Sequence, residues 1–205
     1  MPRAALETVD GALLEDVSIT NVTMRDIVNA PIFLRLGSRM RAPDHTPVGA
    51  LRRLDLSNFV IHNADPRFAS IISGIPGHDI EDVRLHNIRI EYQGGGTREQ
   101  AALVPAELEM AYPEPRMFGE MPAYGFFVRH VNGIEMKDIQ ISFLKEDLRP
   151  AFVFQEVKSV SLQNIKAQHA PGVPTFDLRE VTNLDVRQSP GLPDTTLKNA
   201  AKQTF

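Results

Sequence analysis

The chain has 205 residues, of which 42% are hydrophobic and 23% charged, and this size and composition suit one soluble globular domain with a sizeable core. Its net charge of −4 and the lack of a long basic block argue against a nucleic-acid partner. No apolar run reaches the length of a membrane span, no signal peptide is recognisable, and there are no cysteines. We therefore expect no membrane partner, no disulfide and no thiolate metal site.

One short phrase recurs six times and is the strongest signal in the sequence. Its template is apolar-x-apolar-x-Asn-apolar-x-apolar, with Asp or Gln replacing Asn in two copies. In chain order the copies are VSITNVTM (17–24), LDLSNFVI (54–61), VRLHNIRI (83–90), MKDIQI (136–141), VSLQNIKA (160–167) and LDVRQS (184–189). Such self-similarity at a spacing of a few tens of residues is typical of stacked repeats.

The order of apolar residues within the phrase predicts a bend at the amide. Val83 and Leu85 share one strand face, but Ile88 and Ile90, which follow Asn87, have the opposite parity. Both pairs stay inside only if the chain turns at Asn87, and asparagine tolerates the left-handed backbone of such a corner. Stacked on equivalent residues, these amides are expected to form a ladder.

A second apolar stretch precedes most copies of the phrase, and three of these stretches align without gaps. The aligned units begin at Phe126, Phe152 and Phe176, and each consists of a strand, a short turn, a strand, a polar corner and a strand. A repeat of about 24 residues suits one coil of a solenoid. The sequence thus predicts an all-β parallel β-helix over residues 1–189. A β-sandwich explains the fixed amide less well, and the spacing of leucine-rich repeats is missing.

Two segments interrupt this pattern. Residues 91–123 form an insertion rich in glycine, proline and acids, which is predicted to be partly helical. It either decorates a binding face or is a solvated excursion without function. The tail, residues 190–205, is predicted to form a short helix with Asp194 as its N-cap and to cover the last coil.

Three segments, residues 5–39, 70–90 and 113–131, together resemble the C-terminal half of bacterial proteins of glycoside hydrolase family 28, the polygalacturonase and rhamnogalacturonase family. The resemblance covers nearly the whole chain. It implies a right-handed parallel β-helix whose N-terminal coils are missing, and inverting hydrolysis of pectin-like uronic-acid polysaccharides. It further implies a secreted or periplasmic location. No cofactor is predicted.

The catalytic motifs of that family do not occur in their order here. Leu6-Glu7-Thr8 occupies the place of an Ile-Lys-Thr sequence, so the catalytic aspartates are expected upstream of Met1 and the catalytic residues of this chain are unknown. Asn63-Ala64-Asp65 matches an Asn-x-Asp motif but follows a corner and is interpreted as a chance match. Gly77-His78-Asp79 resembles Gly-His-Gly and is interpreted as a tight turn from which His78 could reach a ligand.

Equivalent strand positions along the face that would meet substrate predict a row of polar side chains. The row carries cations and hydrogen-bonding groups, without the two spaced carboxylates that inverting hydrolysis needs. Arginines suit uronate carboxylates, although exposed arginines are often only solvated, and a tyrosine beside them either stacks on a sugar or packs under its loop. The predicted row holds Glu7, Arg35 or Arg39, Ser73, Arg129 or His130, and Gln155 or Glu156. The predicted substrate-binding residues are Glu7, Arg39, His78, Tyr124, Arg129 and His130.

Two functional hypotheses follow from the sequence. In the first, the chain is the substrate-binding half of a polygalacturonase-type glycoside hydrolase. In the second, it is a catalytically inactive β-helix that binds polysaccharide or is purely structural. The six histidines are scattered without metal-ligand spacing, so no metal is expected. The oligomeric state and the exact polysaccharide are left open.

Overall fold

The computed structural model describes residues 3–205, and β-strands form most of it. Helical structure in this range is confined to one turn of α-helix, Arg98–Ala101, and one 3-10 turn, Pro115–Phe118. No helix in this range is long and apolar enough to cross a bilayer. In chain order the elements are β1 Ala4–Thr8, β2 Leu13–Arg25, β3 Ile32–Leu36, β4 Ala50–Ala64, β5 Ser70–Ser73, β6 Ile80–Gly94, α1 Arg98–Ala101, β7 Phe126–Lys145, β8 Phe152–Ala167, β9 Phe176–Arg187 and β10 Thr195–Thr204.

The strands are almost all parallel and pair in the order in which the chain visits them. One series runs β1, β3, β5 and β7, and a second runs β2, β4, β6 and β7. Strand β7 is long enough to pair with β5 at one end and β6 at the other, and β8 and β9 continue both series. We call each traverse of the two series a pass, and there are six: β1 with β2, β3 with β4, β5 with β6, then β7, β8 and β9. The predicted all-β class with a mostly parallel sheet is confirmed.

The amide positions of the repeat are bends in the backbone, as predicted. Asn21, Asn58 and Asn87 all have left-handed backbones, with φ of 61°, 59° and 53°. The Nδ2 of Asn87 donates to Oδ1 of Asn58 at 2.7 Å, and the Nδ2 of Asn58 donates to Oδ1 of Asn21 at 3.0 Å. Asp138 and Asn164 make a similar pair at 2.6 Å. The predicted ladder therefore exists in two stretches.

Apolar side chains on both sides of each bend fill the interior. The three gapless units stack in the predicted register, since Phe126 pairs with Phe152 and Phe152 with Phe176. Their rings are fully buried and nearly parallel, with centroids 5.7 Å and 4.6 Å apart. Burying an aromatic side chain of this kind contributes roughly 1.5–3 kcal/mol. The repeat thus places one aromatic ring above another along the core.

The insertion covers the outer face of the first series of strands. Because β6 continues to Gly94, we define the insertion as residues 95–125, the segment between β6 and β7. Its helical parts are α1, which is capped by Thr97, and the 3-10 turn Pro115–Phe118. Phe118 and Met121 pack with the outward-facing Phe127 and its neighbours in a second buried apolar cluster. The outer face is therefore buried against the insertion where this cluster lies.

The helix predicted for the tail is wrong. Residues 195–204 form β10, which pairs antiparallel with β9. Asp194 accepts a hydrogen bond from the backbone N–H of Gln188 at 2.8 Å and caps no helix. The physical reason is the free edge of β9, whose unpaired backbone groups accept a strand more readily than a helix. The tail nonetheless covers the last pass, as expected.

Candidate functional site

The polar row predicted along the outer face exists in register. Of the alternatives left open, Arg35, Arg129 and Gln155 lie in the row. Arg39 lies beyond the end of β3, and His130 and Glu156 lie at a corner beside the row. In order of passes the row is Glu7, Arg35, Ser73, Arg129, Gln155 and Arg179.

The insertion occupies the centre of this row. Arg35 and Arg129 are 1% and 0% exposed, and both donate to Ser73 Oγ, at 2.8 Å and 3.1 Å. Both guanidiniums also donate to backbone carbonyls of residues 105–108, Arg35 to the carbonyl of Gly74, and Arg129 to the Glu107 carboxylate. Burial and the nearby Arg129 charge lower the pKa of Arg35 to about 10, and burial also lowers the pKa of Arg129. The prediction that Arg129 contacts a ligand is therefore wrong for this structure, in which Arg129 holds the insertion.

Tyr124 also differs from its predicted role. Its side chain is in the core, where the ring packs edge-on against Tyr92 and Phe143 at 5.9 Å and 5.3 Å. The hydroxyl donates to the backbone carbonyl of Gln168. Burial raises the pKa of Tyr124, so the hydroxyl stays a donor. The alternative that this tyrosine packs under its own structure is the one observed.

Glu7, Arg39 and His78 do not converge on one site. Glu7 is half-buried and accepts a hydrogen bond from Arg3, and burial raises the pKa of its carboxyl. Arg39 binds Asp10 in a partly exposed ion pair. His78 is exposed in a tight turn closed by mutual backbone bonds with Ile75, as predicted. Glu7 also lies far from His130, because three strand spacings, about 14 Å, separate their strands.

The Asn-x-Asp match is structural, as interpreted. Asn63 is a left-handed corner residue that donates to Oδ1 of Asp26 at 2.6 Å. Asp65 is bound by Arg67, whose hydrogen bonds outweigh the effect of burial and lower the pKa of the Asp65 carboxyl.

One open groove follows the corner that lies beside the polar row. His130, Glu156 and Glu180 occupy equivalent positions in three successive passes, all with left-handed backbones. The groove has a volume of about 560 Å³ and extends from the turn before β6 to β10. Four strand spacings correspond to a length of about 19 Å. The groove is lined by Gly77, Asp79, His130, Glu156, Lys158, Glu180, Thr182, Asn199 and Ala201.

A buried histidine between two carboxylates lies in the wall of this groove. The Nε2 of His130 lies 3.1 Å from Oε1 of Glu107, which also contacts Arg129 at 3.1 Å. On the other side, Nδ1 of His130 lies 3.4 Å from Oε2 of Glu156. The potential ligand atoms of Glu107, His130 and Glu156 all lie within 4.8 Å of one another. We call these three residues the His130 cluster.

Sequence reasoning found His130 but missed this cluster. Glu107 comes from the insertion and Glu156 from the next pass, so no short spacing links them. The histidines have no metal-ligand spacing in the sequence, but the fold brings three potential ligand residues together from distant segments. The Glu107 and Glu156 oxygens are also closer than the 6.5–9.5 Å between the carboxyl groups of inverting glycosidases. The pair does not meet that requirement.

The groove carries more negative than positive charge. The ammonium of Lys158 is bound to Asp79 at 2.8 Å, and its charge is thereby matched. Glu180 forms no ion pair with any residue in the range 3–205. The surface therefore offers carboxylate, amide and hydroxyl groups to hydroxyls and cations, and it disfavours a free carboxylate.

Comparisons of the chain with known protein families, curated proteins and solved structures gave no match.

Proposed function

We propose that this chain is part of a right-handed parallel β-helix of the polygalacturonase type and that it binds a pectin-like polysaccharide. The six in-register passes support this architecture, because each returns to the same corner after a similar set of bends. The resemblance of residues 5–39, 70–90 and 113–131 to that family supports the ligand class. A secreted or periplasmic location belongs to the same proposal.

The groove beside His130 is the proposed binding surface, and its geometry carries the proposal. An extended chain of sugars needs a long open surface with many hydrogen-bonding groups, and the groove crosses the passes over about 19 Å. Asn199, Thr182 and Glu180 offer such groups at one end. The polar row offers less, because the insertion buries Arg35 and Arg129.

The charge of the groove narrows the class of ligand that we propose. Glu156 and Glu180 lie in adjacent passes without a basic partner other than the His130 ring. Free galacturonate carboxylates would be repelled at this surface. Methyl-esterified or neutral stretches of pectin are thus the proposed ligand, rather than the de-esterified polymer favoured by the row of arginines in the sequence.

The second candidate function is a binding module without hydrolytic activity. It is favoured by the insertion, which covers the centre of the row that would meet substrate, and by the short separation of Glu107 and Glu156. In the first candidate, hydrolysis requires catalytic aspartates beyond those of this chain. Release of reducing ends from pectin by the chain alone would contradict the binding-module alternative.

Calorimetric titration with pectin oligosaccharides of defined esterification tests the binding proposal. We expect esterified oligosaccharides to bind more tightly than de-esterified ones, and Asn199→Ala combined with Thr182→Ala to weaken binding at least tenfold. Glu81→Gln, an exposed change outside the groove, is the matched control and should bind like the parent chain. Tighter binding of de-esterified oligosaccharides, equal losses in both variants, or no binding of either polymer would contradict the proposal.

A further inference from the structure

The polar row ends beside a space that the insertion leaves open. Arg179 holds the row position one pass beyond Gln155, and the strand register places Lys202 of β10 directly opposite Arg179. The insertion covers the row with residues 105–108, which contact the arginines of earlier passes. The side chain of Arg179 is 20% exposed, and Lys202 is exposed. We call this space the end hollow; it has a volume of about 600 Å³, and its walls include Arg98, Val104, Arg179 and Lys202.

The end hollow adjoins the groove beside His130. Glu180 and Ala201 line both spaces, so the two spaces meet at the last corner of the stack. A polysaccharide chain that occupies the groove can therefore continue into the end hollow, where it meets a different set of side chains.

The sign of the charge changes between the two spaces. One lysine and three acidic residues line the groove, whereas three basic and two acidic residues line the end hollow. Of these two acids, Glu180 lies at the boundary with the groove and Asp177 is matched, because its Oδ2 accepts hydrogen bonds from Nε and Nη2 of Arg179 at 3.1 Å and 2.7 Å. Arg98 and Lys202 form no ion pair with any residue in the range 3–205. The end hollow thus offers two unmatched cations beyond the acidic groove.

The pairing of β9 with β10 places two like charges opposite each other in this hollow. Lys202 and Arg179 are direct partners in the antiparallel register. Directly opposite side chains have Cβ atoms about 4.5–5.5 Å apart, and like charges at such positions destabilise the pair. Asp177 offsets the charge of Arg179 but does not contact Lys202. An anion bound beside Lys202 would offset the remaining repulsion, and this reason for a bound anion is independent of the groove.

The wall of the end hollow that carries Arg98 is fixed by hydrogen bonds. The backbone N–H of Gly96 donates to Oδ2 of the buried Asp147 at 2.9 Å. Thr97 caps α1, and the backbone N–H of Thr97 in turn donates to the side chain of Gln100 at 2.8 Å. Arg98 follows directly on these contacts, so its backbone is already in place before a ligand binds.

We infer that the end hollow binds the free carboxylate of an acidic sugar unit that follows the neutral or esterified units in the groove. Arg98 and Lys202 bind the carboxylate, because a guanidinium and an ammonium both donate charge-assisted hydrogen bonds to it. Ala101, Ala102 and Val104 add an apolar surface for the C–H face of the sugar ring. The site rests on the proposed function, since one polysaccharide chain occupies both spaces. It makes the protein selective for partly esterified polymer.

Calorimetric titration of the full chain with two kinds of pectin oligosaccharide tests the site. One kind is fully methyl-esterified, and the other is identical except for one free carboxylate at either terminal unit. We expect the free carboxylate at one of the two ends to tighten binding at least about threefold at low salt. Arg98→Gln combined with Lys202→Gln should abolish this preference and leave the affinity for the fully esterified oligosaccharide within about twofold of the parent chain. Both residues are exposed, so the changes should not unfold the chain.

Lys198→Gln is the matched control for Lys202→Gln, because Lys198 is an exposed lysine of the same strand that lines neither space. It should keep the preference for the free carboxylate, whereas Lys202→Gln alone should reduce it. Equal reductions in the two variants would show only general attraction of anions and would overturn the inference. Equal binding of all the oligosaccharides by the parent chain would overturn it and leave the proposed function intact. Absence of binding to every oligosaccharide would overturn both.

Discussion

Replacing Arg129 with methionine is expected to release the insertion from the outer face and to destabilise the fold. Its guanidinium is fully buried and donates to the carbonyls of Pro105 and Ala106 at 2.8 Å and 2.7 Å, and to the Glu107 carboxylate at 3.1 Å. Methionine fills much of the same space but leaves these acceptors without donors. Removing one member of a buried ion pair costs about 3–5 kcal/mol.

The cost of burying the arginine charge places the expected loss at the lower end of that range. Burial lowers the pKa of Arg129, which means that the folded state holds this charge at a cost that methionine would remove. The lower part of the range, about 3 kcal/mol, is therefore the expected loss in free energy of unfolding. A value this large would be a substantial share of the stability of a domain.

Urea denaturation of the parent chain and Arg129→Met measures this loss, and limited proteolysis tests the location. New cleavage should fall within residues 97–123. Arg84→Met is the control, because Arg84 is exposed on β6 and forms no ion pair with residues 3–205; it should change stability by less than about 0.5 kcal/mol. A loss below about 1 kcal/mol with an unchanged cleavage pattern would refute the role of Arg129 as the anchor of the insertion.

Three further predictions concern the ladder, the core and an ion pair. Asn87→Ala should lower the free energy of unfolding by about 1–2 kcal/mol, because alanine is strained in the left-handed backbone of this position. Asn87→Gly should lower it less in the same urea titration, because glycine tolerates that backbone. Phe152→Ala should cost about 3–5 kcal/mol by opening a cavity in the ring stack, and an unchanged melting curve would contradict the packing described. Hydrogen bonds from Arg39 lower the pKa of Asp10 from 3.8 to about 2, so the stabilisation from this carboxylate is complete above pH 3.8 and is lost as the pH falls through 2. Asp10→Asn should remove that part of the acid dependence of stability, and identical acid profiles would show that the pair contributes nothing.

The repeating part of the fold could be predicted from sequence because its constraints are local. The change of parity at Asn87 requires a bend, and the bend is present with φ of 53°. The gapless alignment of Phe126, Phe152 and Phe176 requires equal passes, and these residues pair directly. Both features depend only on which side chains must face the interior.

The site was predicted less well because it depends on contacts between distant segments. Arg129 was expected to face a ligand, but residues 105–108 of the insertion supply acceptors that the sequence does not mark. Glu107 reaches His130 for the same reason. The tail was mistaken for a helix because Asp194 resembles an N-cap, whereas the free edge of β9 decided its conformation. Hydrogen bonds between distant polar groups and the pairing of a free strand edge leave no periodic pattern in the sequence of a single chain.

The unequal lengths of the segments that join successive passes have a consequence for engineering. Every one of these segments leaves and re-enters the stack between the same two series of strands, yet the strand register does not depend on how many residues it contains. The segments are 26–31, 65–69, 95–125, 146–151 and 168–175. A foreign peptide grafted at the exposed turn Pro171–Gly172 should therefore be displayed without altering the scaffold. New binding segments can therefore be inserted into one connection after another while the strand pairing stays the same.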